Sequence, residues 1–180
     1  DGYLHQQSKP AEYDSNIVRF LTLTPRRPSI GTSFFMDQLR LSMLPFLEAI
    51  QPELERVNET IIKRLHSDEP LVEDIGHHLI QAGGKRLRPI LVLLSAKALH
   101  YNEHKHVELA AIIEFIHTAT LLHDDVVDVS ALRRGLPTAN EKWGNAPSVL
   151  VGDFLYSRAF QMMVAIGSMD IMRILSNTTN

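Results

Sequence analysis

Apolar residues recur at intervals of three and four along the chain from Leu44 onward, with polar residues between them. This spacing matches the 3.6-residue period of an amphipathic helix. It predicts helices at about 44–66, 70–82, 88–100, 104–128, 146–166 and 168–178. No alternating strand pattern and no hairpin signal competes with it, so we predict an all-α fold, an antiparallel helical bundle.

Residues 1–35 differ from this helical body because no amphipathic period develops there. The run Thr24-Pro25-Arg26-Arg27-Pro28-Ser29 is typical of a turn or linker. Positions 16–35 hold three arginines and no acidic residue, as transit peptides do, and Met36 is a candidate start. We therefore expect residues 1–35 to be a disordered extension and residues 36–180 to form the helical domain.

The 180-residue chain carries a formal net charge of −3 and no cysteine. This near balance gives no general attraction to nucleic acid, so any phosphate binding would be local. The absence of cysteine excludes disulfides and thiolate metal sites and fits a reducing compartment. No apolar run approaches the roughly 18 residues of a spanning helix. We expect a cytoplasmic protein with no nucleic-acid partner and no stable membrane insertion.

Three carboxylates follow directly after the apolar stretch Ala110–Leu122, in the run His123-Asp124-Asp125-Val126-Val127-Asp128. At about 100° per residue, Asp124 and Asp128 lie on one helical face and Asp125 points away from it. Carboxylates at the inner end of a buried helix are costly unless a cation compensates them. Oxygen ligands favour magnesium, so we predict that Asp124 and Asp128 bind Mg²⁺.

A basic turn, Gly83–Pro89, separates two predicted helices. Its glycines end one helix and Pro89 suits the first turn of the next, which places Lys85 and Arg88 at a helix N-terminus. Free N–H groups and two cations there would bind a diphosphate. A solvated basic turn would also explain the stretch taken alone, but the acidic run downstream favours binding.

Arg133, Arg134 and His117 extend this candidate site. The arginines would bind a magnesium-held diphosphate from the side opposite the metal, although exposed arginine pairs in loops are common. His117 lies two helical turns before Asp124 on nearly the same face. It is either a hydrogen-bonded packing residue or a residue that faces the ligand.

The chain resembles the N-terminal half of the trans-polyprenyl diphosphate synthases, from about Met43 to Asn180. The resemblance rests on four motifs: GGKRLRP, LLHDDVVD, RRG and VLVGDFLYSRAFQMM. Within that family the likeness is strongest to the bacterial octaprenyl diphosphate synthases of quinone side-chain synthesis. It implies a truncated bundle of the isoprenoid synthase type. It also implies Mg²⁺-dependent, head-to-tail (1'-4) condensation of isopentenyl diphosphate with an allylic diphosphate.

The resemblance also implies roles for single residues, and a homodimer for the complete enzyme. Asp124 and Asp128 would bind magnesium and activate the leaving group, with Asp125 as an outer contributor. Arg133 would contact the allylic diphosphate. The remaining four would hold isopentenyl diphosphate: Lys85, Arg88, His117 and Arg134.

Small residues precede the acidic run at the depth where a growing hydrocarbon tail would descend. Ala119 and Thr120 stand where similar short-chain enzymes carry aromatic residues, so we predict a product longer than about twenty carbons. Phe154, Met162 and Met163 are candidates for the residues that close the bottom of the cavity for this tail. The methionines equally suit simple filling of gaps in the core.

The chain departs from the family because no second DDxxD occurs in its 180 residues. We therefore expect this chain alone to be inactive and to expose apolar faces that further helices would cover. Three alternatives remain. A class I terpene synthase would not need the GGKRLRP motif, a non-catalytic subunit typically loses the acidic motif, and a His-Asp phosphohydrolase would need further histidine ligands.

Overall fold

The computed structural model describes residues 33–81 and 84–179, with side chains described from residue 45 onward except 80 and 81. Residues 1–32 of the expected disordered extension therefore fall outside the described residues, whereas residues 33–35 belong to the first helix. Within them the predicted all-α fold is confirmed, since helices form the whole body and the strands are two residues long.

Seven helices and one small hairpin follow each other along the described part of the chain. They are α1 (Ser33–Leu65), α2 (Pro70–Gln81), α3 (Leu87–Ala98), α4 (Lys105–Val127), β1 (Leu132–Arg133), β2 (Leu136–Pro137), α5 (Ala139–Trp143), α6 (Asn145–Ile166) and α7 (Met169–Thr178).

The central helix is α4, which is apolar nearly all round and packs most extensively along α6, with α3 and α1 also against it. A helix buried on several sides needs apolar residues on several faces, and α4 has them. Its fully buried residues include Ala111, Ile112 and Leu122, and they meet Leu155 and Met162 of α6 in one core. The acidic run thus lies at the end of the most buried helix.

The hairpin and α5 were missed by the sequence analysis, which predicted no hairpin at all. Leu132 pairs with Pro137 and Arg133 with Leu136 in an antiparallel ladder. The two residues of the turn, Arg134 and Gly135, both have positive φ (55° and 80°). This backbone is typical of a tight two-residue hairpin, which needs no alternating run in its strands. The prediction of no hairpin was therefore wrong.

Among the described helices, α6 is long and apolar enough to cross a membrane by its length and composition. The sequence alone did not indicate such a run, because Asp153 and Arg158 interrupt it. In the structure α6 buries Val151 and Leu155 against the rest of the bundle. The core helix of a helical bundle has this same composition.

Candidate active site

The acidic run spans the C-terminal end of α4. The helix ends at Val127, and Asp128 caps it with a backbone N–H that donates to the carbonyl of Asp124 at 2.8 Å. Asp124 and Asp128 are exposed, whereas Asp125 is buried with only 3% of its surface accessible. Two carboxylates thus remain open to a ligand, and the third belongs to the core.

Asp125 forms a bidentate ion pair with Arg133. The arginine donates from Nε to both carboxylate oxygens (3.0 and 2.9 Å) and from Nη2 to Oδ1 (2.7 Å). These bonds raise the pKa of Arg133, with the charges of Asp124 and Asp128 adding to the effect. Asp125 was expected to be an outer contributor to metal binding, but in the structure it anchors the hairpin to α4.

Backbone and side-chain hydrogen bonds fix the hairpin further. The carbonyl of Ser130 accepts from Thr138 Oγ1 (2.6 Å) and Asn140 Nδ2 (3.1 Å). The Ser130 N–H donates to the carbonyl of Asp125 at 2.9 Å. The segment after α4 therefore turns back at once, which brings Arg133 and Arg134 beside the end of α4.

Arg134 reaches from the hairpin to the basic turn that precedes α3. A Cβ atom built on Gly84 would lie 2.7 Å from Nη1 of Arg134, closer than real side chains approach. Only glycine lets the guanidinium lie this close to the backbone of the turn. Lys85 and Arg88, on the same turn, are exposed.

Arg86 and Glu114 are site residues that the sequence analysis did not select. Arg86 is the N-cap residue of α3 and has a left-handed backbone (φ 48°, ψ 32°). Its Nη1 donates to Glu114 Oε1 of α4 at 2.6 Å. The signal for Arg86 lay within the basic turn, but the spacing of one helix could not indicate a partner 28 residues away.

His117 is half-buried one turn beyond Glu114 on α4. Burial lowers the pKa of His117, and the positive charge of Arg88 lowers it further, with Arg134 and Arg133 acting in the same direction. Glu114 opposes them. Burial and the arginines thus favour the neutral imidazole, the form that can donate one hydrogen bond and accept another.

These elements line one open cleft. Its polar lining is Arg86, Glu114, His117, Thr118, Arg133 and Arg134, and its apolar lining includes Leu65, Leu79, Phe115 and Leu155. The structure thus brings together three of the predicted substrate-binding residues. Among the described residues, Lys85, Arg88, Asp124 and Asp128 lie outside this lining, on exposed surface at the adjoining turn and helix end.

The described residues contain no group of three His, Asp or Glu side chains that could hold a metal ion by themselves. Two carboxylates suit Mg²⁺, which commonly keeps several waters and completes its shell with phosphate oxygens. His123 does not join them; its Nε2 lies 3.3 Å from the carbonyl of Val149 and 3.4 Å from Asp153 Oδ1, on α6. This contact counts against a His-Asp phosphohydrolase, whose histidines would need to converge.

The residues predicted to set product length lie at different depths. Ala119, Met162 and Met163 are buried. Thr120 is exposed, and its hydroxyl donates to the carbonyl of His117 at 2.8 Å. Phe154 is half-buried under the guanidinium of Arg158. Among the described residues, Thr118 and Leu121 of α4 line the cleft, while Ala119 and Thr120 do not.

Comparison with known proteins gives a consistent result. The family model for polyprenyl synthetases matches residues 69–180. The octaprenyl diphosphate synthase of Escherichia coli (strain K12) is 50% identical over 133 residues, 74% of this chain and 41% of that protein. The chain thus spans about two fifths of the length of the curated relatives it matches first.

Two solved structures share the fold. The decaprenyl diphosphate synthase of Rhodobacter capsulatus is 50% identical, with a TM-score of 0.72 over 75% of this chain and 42% of that one. A polyprenyl synthase from Caulobacter crescentus CB15, solved with calcium and isoprenyl diphosphate, is 46% identical with a TM-score of 0.72. The match covers 74% of this chain and 41% of that structure.

Proposed function

This chain belongs to the polyprenyl synthetase family, and from that membership we propose that its cleft serves the head-to-tail (1'-4) condensation of isopentenyl diphosphate with an allylic diphosphate. Its relatives are prenyl transferases, and its fold is of the isoprenoid synthase type. The observation that carries the proposal is the convergence of His117, Arg133 and Arg134 on one cleft. This cleft lies at the end of α4 that carries the exposed carboxylates.

Asp124 and Asp128 are the proposed magnesium ligands. They are exposed carboxylates at one helix end, so they can reach a metal that also binds substrate oxygens. Magnesium held by these two carboxylates would stabilise the charge that develops on the leaving diphosphate. The calcium and isoprenyl diphosphate bound to the Caulobacter relative support a divalent cation and a diphosphate as the ligands.

Arg133 is the proposed contact for the allylic diphosphate. Asp125 takes the Nε and Nη2 donors of Arg133, which fixes the guanidinium beside the acidic end of α4. An arginine already oriented in this way loses little side-chain entropy when an anion binds. Lys85, Arg88, His117 and Arg134 are the proposed ligands of isopentenyl diphosphate, and a neutral His117 can donate to a phosphate oxygen.

The product and setting form part of the same proposal. We expect a long-chain polyprenyl diphosphate, octaprenyl in length, for quinone side chains, because the chain is 50% identical to an octaprenyl diphosphate synthase over 133 residues. We also expect a cytoplasmic homodimer for the complete enzyme. A molar mass of one subunit, measured by light scattering on the complete enzyme, would contradict the dimer.

A further part of the proposal is that the 180 residues bind substrate but do not turn it over. They hold one acidic motif, so they would contact a bound substrate from one side only. The other side of the substrate would stay in contact with water, which weakens the electrostatic stabilisation of the transition state. Prenyl transfer by this chain alone, assayed with magnesium and both substrates beside the E. coli enzyme, would refute this.

Calorimetry on the 180-residue chain tests the metal site directly. A non-cleavable thiolo analogue of an allylic diphosphate should bind in the presence of Mg²⁺ and at least about tenfold more weakly without it. Replacement of Asp124 and Asp128 by Asn should remove this dependence. Asp170→Asn, an exposed aspartate on α7, is the matched control and should leave it intact. Equal binding with and without metal would contradict the assignment.

A further inference from the structure

Arg86 and Glu114 form an ion pair on the inner wall of the cleft. Their side chains are only 17% and 13% exposed, and the two atoms lie 2.6 Å apart. We propose that Arg86 and Glu114 are positioning residues that hold the basic turn against α4, so that Lys85 and Arg88 face the diphosphate of isopentenyl diphosphate. The inference rests on the proposed function, since it names what orients that substrate's ligands.

The backbone of Arg86 supports this role. Its φ of 48° and ψ of 32° lie in the left-handed region, which a residue with a long side chain rarely occupies. Such a conformation persists where the surroundings over-determine it, and the hydrogen-bonded ion pair supplies that constraint. The Arg86 carbonyl also accepts from the Ile90 N–H at 3.0 Å, so the same residue sets where α3 begins. Lys85 precedes this fixed point and Arg88 follows it within the first turn.

The partner on α4 connects the turn to the rest of the site. Glu114 lies three residues before His117, so the two side chains share one helical face. Both line the cleft together with Arg86. From the opposite side, the guanidinium of Arg134 rests against Gly84 of the turn. The pair therefore fixes the distance between the cations of the turn and the imidazole that would share their ligand.

The geometry distinguishes Arg86 from a substrate ligand. Its guanidinium is committed to a carboxylate and is largely removed from water, whereas Lys85 and Arg88 are exposed. A second pair on α4 provides a matched control: Glu108 lies 3.8 Å from Arg64, and these side chains are 39% and 38% exposed. This pair also joins an arginine to a glutamate of α4, but neither residue lines the cleft.

The experiment follows two ligands by NMR on the 180-residue chain. Isopentenyl diphosphate in metal-free buffer is followed on the amide signals of Lys85 and Arg88, and Mg²⁺ alone on those of Asp124 and Asp128. Glu114→Gln should raise the Kd for isopentenyl diphosphate about tenfold, the scale of a lost charge-assisted hydrogen bond, and leave the Kd for Mg²⁺ unchanged. Glu108→Gln should change neither.

A double variant separates positioning from stability. Arg86→Met with Glu114→Met removes both charges, so no unpaired buried ion remains and the unfolding midpoint should recover relative to Glu114→Gln. The Kd for isopentenyl diphosphate should stay raised, because nothing then holds the turn. Recovery of the Kd together with the midpoint would overturn the inference. Arg86→Lys, which keeps the charge and loses the planar fork, should give an intermediate Kd.

The two failures are distinguishable. No binding of isopentenyl diphosphate by the unaltered chain would overturn the proposed function and this inference with it. Binding by the unaltered chain with an equal Kd in Glu114→Gln would overturn the inference alone.

Discussion

The Asp125–Arg133 pair gives the sharpest prediction, because its two partners differ in burial. The side chain of Asp125 is 4% exposed and that of Arg133 is 33% exposed. Removal of one partner from a fully buried pair costs about 3–5 kcal/mol, chiefly because the other charge remains buried and unpaired. The cost should therefore depend on which partner remains.

Arg133→Met leaves the buried carboxylate without its donors and should destabilise the chain by about 3–4 kcal/mol. Asp125→Asn leaves an arginine that can reach water and an amide that can still accept one hydrogen bond, so about 1–2 kcal/mol is expected. A domain of this size is typically stable by about 5–15 kcal/mol, so both losses are measurable.

Urea unfolding followed by far-UV circular dichroism measures both variants at one pH. Arg173→Met is the matched control, since Arg173 and Asp170 form a pair at 3.1 Å whose side chains are 66% and 84% exposed. It should cost no more than about 0.5 kcal/mol. Equal losses in Arg133→Met and Asp125→Asn, or a similar loss in the control, would refute burial as the cause.

Three further predictions concern the neighbouring residues. Because burial lowers the pKa of His117 from its ordinary 6.5, the folded state disfavours the charged form; stability should be full above pH 6.5 and fall as the pH drops below it. His117→Gln should flatten this part of a pH series of thermal melts, and an unchanged slope would exclude His117 as its source. Ala119→Tyr should shorten the products of the complete enzyme, as measured by chromatography, whereas the control Ala165→Tyr, at an exposed position, should not. Unchanged products in a folded Ala119→Tyr variant would show that the hydrocarbon tail does not pass this residue. Gly152→Ala should cost about 1–3 kcal/mol in urea unfolding, because its Cβ would overlap the ring of His123, and a neutral effect would show that the ring can move aside.

The long helices were largely predictable from the sequence because their apolar period extends over several turns, although α1 begins at Ser33 rather than near residue 44. Helix α4 was predicted at about 104–128 and is observed at Lys105–Val127. The hairpin and the five-residue α5 were not predictable in this way, since two-residue strands and a single helical turn are too short to show a period. Their signal lies in the turn itself, where Arg134 and Gly135 both take positive φ.

The candidate site was predictable where one helix determines the geometry. Helical rotation alone separates Asp124 and Asp128 from Asp125, and the structure has these two exposed and the third buried. The partners of Asp125 and Glu114 were not predictable, because Arg133 and Arg86 reach them across turns from 8 and 28 residues away. Such pairs depend on tertiary packing, which the spacing along one helix does not contain.

Prenyl transfer by a chimera tests the central claim most directly. This chain would be joined to the part of the E. coli octaprenyl diphosphate synthase that follows the aligned region, and supplied with labelled isopentenyl diphosphate and an allylic diphosphate. We predict Mg²⁺-dependent incorporation of label into a long-chain product, lost in Asp124→Asn and retained in Asp170→Asn. A folded chimera that incorporates no label, or that incorporates it equally without magnesium or with Asp124→Asn, would contradict the account.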